Sequence, residues 1–358
     1  MTSGGERRRH RRGDDGSRDT GEREGSRREG PRREGPRRER EMSMVPRADF
    51  RSYYGRPVLK RPVWKDDIAY YFFLGGLSAG CSLLAAGADQ AGLPALRKGT
   101  RIGALGAIGL GSYYLIRDLG RPERFHHMLR VAKPTSPMSM GTWILAGFVP
   151  GAGLAAASEL MPGRLRRTPL GRLVGALARP AGLLSAAAAP AVASYTAVLL
   201  SQTAVPAWNE AHEELPFIFT ASAAASAGGL GMIVAPPEQA APARRLAMYG
   251  AVVELAASRR LENRLGPGTA GEVFRTGEPH RHLERASMLT AAGALGSMLL
   301  GRRSRLAAVA SGVALLAGSL YERLGLLHAG IASTEDPKYV VEPQRRRLEE
   351  RGPTRATD

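Results

Sequence analysis

Residues 113–143 decide the fold. The end of one apolar run, Tyr113-Tyr114-Leu115-Ile116, gives way to Arg117-Asp118-Leu119-Gly120-Arg121-Pro122-Glu123-Arg124-Phe125. A second apolar run then opens with Ser136-Pro137-Met138-Ser139-Met140-Gly141-Thr142-Trp143. A loop dense in charge, bounded by proline and glycine, lies between two runs of membrane length. Crossing roughly 30 Å of hydrocarbon takes about 20 mostly apolar residues in a helix. Eight segments approach that length: 68–88, 100–116, 141–160, 181–201, 217–235, 246–258, 286–300 and 306–328. Their abundance of Gly, Ala and Ser suits helices that pack closely in lipid. The expected fold is all-α, a polytopic membrane helix bundle of about eight spans.

The sixth segment is the shortest and needs Arg244, Arg245, Arg259 and Arg260 to snorkel from its ends. Pro190 lies inside the fourth and is expected to kink it. The slightly negative mean hydropathy comes from a charged tail diluting this apolar body. Residues 1–42 hold fourteen Arg and ten Asp or Glu, with Gly-Pro-Arg-Arg-Glu repeated at 30–34 and 35–39. Such a segment cannot bury enough surface to offset its ordering entropy. Residues 1–45 therefore read as a disordered tail, 46–330 as the transmembrane domain and 331–358 as a polar C-terminal tail. No apolar stretch typical of a signal peptide follows the first arginines. The formal net charge of +18 sits in tail and loops, so it points to anionic lipid rather than to nucleic acid.

Short basic loops, such as the one with Arg164, Arg166, Arg167 and Arg172, would be cytoplasmic and the N-terminus outside. With eight spans, the start of the first helix, the loop after the second, the loop 202–216 and the C-terminal tail share one face. That face gathers Asp66, Asp67, Tyr70, Tyr71, Asp118, Arg121, Glu123, Arg124, His126, His127, Tyr195, Trp208, Asn209, Glu210, His212, Glu213 and Glu214.

The single cysteine, Cys81, excludes an internal disulfide and supplies too few thiolates for an iron–sulfur cluster. Of seven histidines only His328 falls on an expected helix, so paired axial ligands for a haem are lacking. No P-loop, zinc-type spacing or nucleophile triad is present, and no metal site is expected. Chemistry on a terminal substrate would belong to another polypeptide.

Several motifs resemble the NrfD/PsrC family, the membrane subunits of polysulfide-reductase-type respiratory complexes. They are Phe73-Leu74-Gly75-Gly76-Leu77-Ser78-Ala79-Gly80, then Asp118 to Phe125 with Met128-Leu129-Arg130, then Ser136-Pro137-Met138-Ser139. Tyr195-Thr196-Ala197-Val198-Leu199-Leu200-Ser201, Pro206-Ala207-Trp208-Asn209, Leu215-Pro216, Ala329-Gly330 and Asp336-Pro337 complete the set. The resemblance spans about residues 53–344. It implies a quinone-reactive subunit, with menaquinone the expected quinone, that exchanges electrons with a ferredoxin-like iron–sulfur subunit and so with a catalytic oxidoreductase subunit. It implies quinone contacts from Tyr195 on the fourth helix and from the start of the first, where Asp67, Tyr70 and Tyr71 stand in place of an Asn/His-type pair.

Each of these residues also has a plainer reading. A tyrosine at a helix end is by default an interfacial belt residue; the resemblance tips Tyr195 toward the quinone but leaves Tyr70 and Tyr71 with the belt. Asp118 and Arg121 form either an ion pair at the pocket mouth or a solvated helix end. Glu254, inside the sixth helix, is either a proton-handling group or the partner of Arg259 or Arg260, since an acid in a membrane segment is costly. Glu322 and Arg323 read as a structural ion pair. Arg124, His126, Trp208, Asn209 and Glu213 are the expected docking residues for the iron–sulfur partner. An ion-coupled transporter using Glu254 and Asp118, and a structural anchor without a quinone, are the competing readings; no internal repeat supports the transporter.

Overall fold

A computed structural model describes residues 57–266 and 270–351. The charged tail expected over 1–45 lies outside these residues. The helices are α1 (Asp66–Gln90), α2 (Pro94–Asp118), α3 (Pro137–Leu160), the single turn α4 (Gly163–Arg166) and α5 (Pro169–Ser201). They continue with the short α6 (Pro206–Glu210), α7 (Leu215–Val234), α8 (Ala241–Arg264), α9 (Gly277–Leu299), α10 (Arg305–Glu335) and α11 (Lys338–Arg351). Two 3₁₀ turns, Pro122–Leu129 and Ala270–Phe274, interrupt the loops.

Local chemistry sets these limits. Proline occupies the first turn of α2, α3, α5, α6, α7 and α8, where its missing N–H costs nothing. Ser136, Thr168 and Ser304 cap α3, α5 and α10 by accepting from the backbone N–H three residues on. Gly92 turns the chain between α1 and α2 at φ 67°.

Of the eight long helices, α1, α3, α5 and α7 are long and apolar enough to cross a membrane. The remaining four, α2, α8, α9 and α10, match the other expected segments in place but carry more charge. Helices α1 and α7 are the most buried of the four. Neighbours in sequence pack as hairpins, α1 with α2, α7 with α8 and α9 with α10, while α3 lies along α5. Close crossings rely on small residues: a Cβ on Gly228 of α7 would lie 2.5 Å from the Ala243 carbonyl of α8, and one on Gly229 would lie 2.8 Å from the Gly312 carbonyl of α10. Such backbone approach replaces the hydrophobic drive that lipid removes. The outer surface exposes Leu184, Met298, Leu306 and Val313, each more than half accessible, as a lipid-facing wall would.

At the end of the bundle away from residues 113–143, Asp89, Arg97, Arg101 and Glu159 lock α1, α2 and α3 together. Arg97 Nε and Arg101 Nη1 donate to Glu159 Oε1 at 2.8 and 2.9 Å, and Arg97 also reaches Asp89 at 3.1 Å.

Two expectations are revised. Helix α9 begins at Gly277 rather than 286, which brings His280 and His282 onto a helix beside His328's. The boundary at 330 falls inside α10, and the polar tail forms α11, whose Tyr339 is buried against the body. Pro190 lies inside α5, together with Pro180.

Candidate functional site

The polar residues of residues 113–143 and of the loop 202–216 do meet at one end of the bundle. Arg117, in the last turn of α2, donates two hydrogen bonds to Asp67 in the first turn of α1, one of them Nε to Oδ2 at 2.8 Å. Its guanidinium also lies 5.4 Å from the centre of the Tyr114 ring. His328 of α10 contacts Asp66 at 2.8 Å. Trp208 Nε1 donates to the Leu326 carbonyl at 2.7 Å, tying α6 to α10.

Between α1, α2, α3 and α5 this end holds a cavity of about 80 Å³. Its walls are largely apolar, with Trp64, Phe72, Leu115, Met138 and Leu145 among them, and its polar groups are Tyr71, Tyr195, Thr142 and Asp118. Tyr195 reaches it because α3 carries glycine at 141: a Cβ there would run into the Tyr195 ring. Tyr71 is buried and Tyr195 half-buried, and a phenol can both donate and accept a hydrogen bond. Asp118 is half-buried on the wall of this cavity.

The structure places the residues of that expected set in different surroundings. Tyr195 and Tyr71 line the cavity together with Asp118. Asp67 instead holds Arg117, and the Tyr70 ring packs on Tyr114 with centroids 5.2 Å apart. Asp118 and Arg121 make no ion pair, because the chain leaves α2 extended at Leu119 and carries Arg121 into solvent at the start of the 3₁₀ turn. Arg124 and His126 are exposed on that turn, and Asn209 and Glu213 on the neighbouring loop. Trp208 is not available for docking: it is fully buried, and its indole fills the space that the absent side chain of Gly330 leaves. Glu214, beside Glu213, is buried as well. Burial opposes its charge, but Arg264 and Arg260 outweigh that cost and hold its pKa below the ordinary carboxylate value.

Deeper in the bundle a second polar group was only half legible. Glu254 is buried, but its expected partners are elsewhere: Arg260 pairs with Glu213 and Glu214, and Arg259 is exposed. Glu254 Oε1 instead accepts from Thr290 at 3.1 Å, and its Oε2 has no partner. Arg323 pairs with Glu322 at 2.9 Å, as expected, donates to the Phe219 carbonyl at 2.9 Å and lies 3.8 Å from the Phe219 ring centre. Glu322 and Arg323 are both buried, and Arg323 Nε has no partner among the described residues. Phe219 packs on Phe72 of the cavity wall with centroids 5.9 Å apart, and these two rings stand between cluster and cavity. The sequence offered no sign that Thr290 or Phe219 belonged to this group, since they come from α9 and α7.

A bundle of apolar, small-residue helices with an apolar cavity at one charged end defines a helical membrane subunit. The family described as "Polysulphide reductase, NrfD" matches residues 58–237, half of the 358-residue chain, and the chain belongs to that family. The match runs from just before α1 to just after α7 and so includes every wall of the cavity, whereas Glu254, Glu322 and Arg323 lie beyond it. No match was found among curated proteins. As a member of this family the chain is a membrane subunit of the multi-subunit, polysulfide-reductase type.

Proposed function

We propose that the chain is the quinone-reactive subunit of its complex, exchanging electrons between the membrane quinone pool, menaquinone by expectation, and a ferredoxin-like iron–sulfur subunit that serves a separate catalytic subunit. The observation that carries this reading is the largely apolar cavity whose wall brings together two phenols, Tyr71 and Tyr195, and one carboxylate, Asp118. An apolar pocket with a few convergent polar groups is the usual form of a small-molecule site.

A bound quinol supplies two electrons and two protons at its two ring oxygens. Tyr195, free to donate and to accept, would hold one oxygen, and Tyr71 across the cavity the other. Asp118, at the water-facing end, would take up a released proton and pass it outward past the exposed 3₁₀ turn. Glu254 would be the proton-holding group of the deeper cluster. The electrons leave to the partner's clusters, since one buried cysteine cannot hold a cluster here. Arg124, His126, Asn209 and Glu213 form the charged rim on which that partner would dock.

Quenching of a fluorescent quinol-site inhibitor tests the reading on the purified protein. Saturable binding that weakens about fivefold in Tyr195→Phe, the scale of one hydrogen bond, is the expected result. Absence of binding by folded protein with its partner present would return the chain to a structural anchor.

A further inference from the structure

Glu278 and His282 are four residues apart on α9 and therefore share one face of that helix. His328 of α10 lies opposite, its ring centre 5.3 Å from that of His282. One donor atom from each of Glu278, His282 and His328 falls within 4.8 Å of the other two. The Nδ1 atoms of both histidines are buried and have no hydrogen-bond partner. An enclosed ring nitrogen without a partner is an uncompensated cost for a protein, and two on rings 5.3 Å apart call for a common explanation.

His328 supplies it through its other nitrogen, which contacts the Asp66 carboxylate at 2.8 Å. A carboxylate that accepts Nε2–H fixes the tautomer with the Nδ1 lone pair free, the outer arrangement that orients histidines toward metals. Glu278, His328 and Asp66 also line an open cleft of about 990 Å³, which gives an ion access and a position for water. None of these residues lines the cavity described above.

We propose that Glu278, His282 and His328 bind a divalent transition-metal ion of the Zn²⁺ class, with Asp66 orienting His328. Two imidazoles and one carboxylate are a donor set of borderline softness that favours Zn²⁺ over Mg²⁺ or Ca²⁺. Tetrahedral coordination with bonds near 2.0 Å needs donors about 3.3 Å apart, so side-chain rotation must draw the three together. The fourth position faces the cleft. Bound metal would clamp α9 to α10 and, through Asp66, to the start of α1.

The test is titration of chelator-stripped, full-length protein with Co²⁺, followed by Zn²⁺ displacement. The expected result is one saturable equivalent with the intense absorption of a tetrahedral centre, lost on adding Zn²⁺. His282→Gln and His328→Gln should each weaken it at least about tenfold, and His212→Gln, at the same end of the bundle, should leave it unchanged. Glu278→Gln alters an exposed side chain, so it reports on the site even if a histidine variant fails to fold. A wild-type titration without a saturable tetrahedral signal overturns the proposal, as does unchanged Co²⁺ binding in the folded Glu278→Gln protein.

Discussion

Gly141→Ala tests how the cavity is built. The added Cβ would stand 2.6 Å from Cδ2 and 3.2 Å from Cζ of Tyr195. Carbon atoms rest about 3.5–4.0 Å apart, so the ring must retreat by about 1 Å. Overpacking of this kind costs about 1–3 kcal/mol of stability. A phenol displaced that far loses its bond to a quinone oxygen, about 1 kcal/mol, which weakens inhibitor binding about fivefold. Gly147→Ala is the control, because a Cβ on that residue of α3 meets nothing within 4 Å. Fluorescence titration gives affinity and thermal unfolding gives stability for each variant. In the double variant with Tyr195→Phe the affinity losses should not add, since both act on one hydroxyl. Fully additive losses, or an affinity in Gly141→Ala equal to that of Gly147→Ala, would refute the placement of Tyr195 against the ligand.

Arg323→Ala should cost about 3–5 kcal/mol in thermal or chemical unfolding, because it strands Glu322 in the interior, whereas Glu254→Gln should be tolerated, because the amide oxygen keeps the Thr290 bond. If both variants unfold at the wild-type temperature, the cluster is not buried as described. Glu214 gives a pH dependence. Its folded pKa is depressed, so its contribution is present above the unfolded value of 4.5 and fades as pH falls below it. The unfolding temperature should therefore drop more steeply on acidification below that value in wild type than in Glu214→Gln; parallel profiles would contradict the pairing with Arg264. Gly330→Ala should expel the Trp208 indole from its seat, detected as a red-shifted tryptophan emission with lowered stability.

The helices were legible because each lies on an apolar run bounded by proline, glycine or charge, although among the described residues only α1, α3, α5 and α7 are long and apolar enough to cross a membrane. The cavity was legible in part. Tyr195, Tyr71 and Asp118 were read from their types and motif positions, but a sequence cannot say which side of a helix end faces inward. That is why Asp67 was grouped with the quinone residues although Arg117, 50 residues away, claims its carboxylate. Trp208 looked like a docking aromatic for want of any sign that Gly330 leaves room for it. Glu254 was matched to arginines nearby in sequence, while its surroundings come from α7, α9 and α10. The Glu278–His282–His328 group was missed because α9 starts nine residues before its apolar run, and its third member is on the next helix.

The most direct measurement is photolabelling of the protein in lipid nanodiscs with an azido-quinone, followed by peptide mapping. The account predicts labelling of segments 64–72, 115–145 and 195–199, suppressed by excess quinone and reduced in Gly141→Ala. Competable labelling confined to other segments would contradict it.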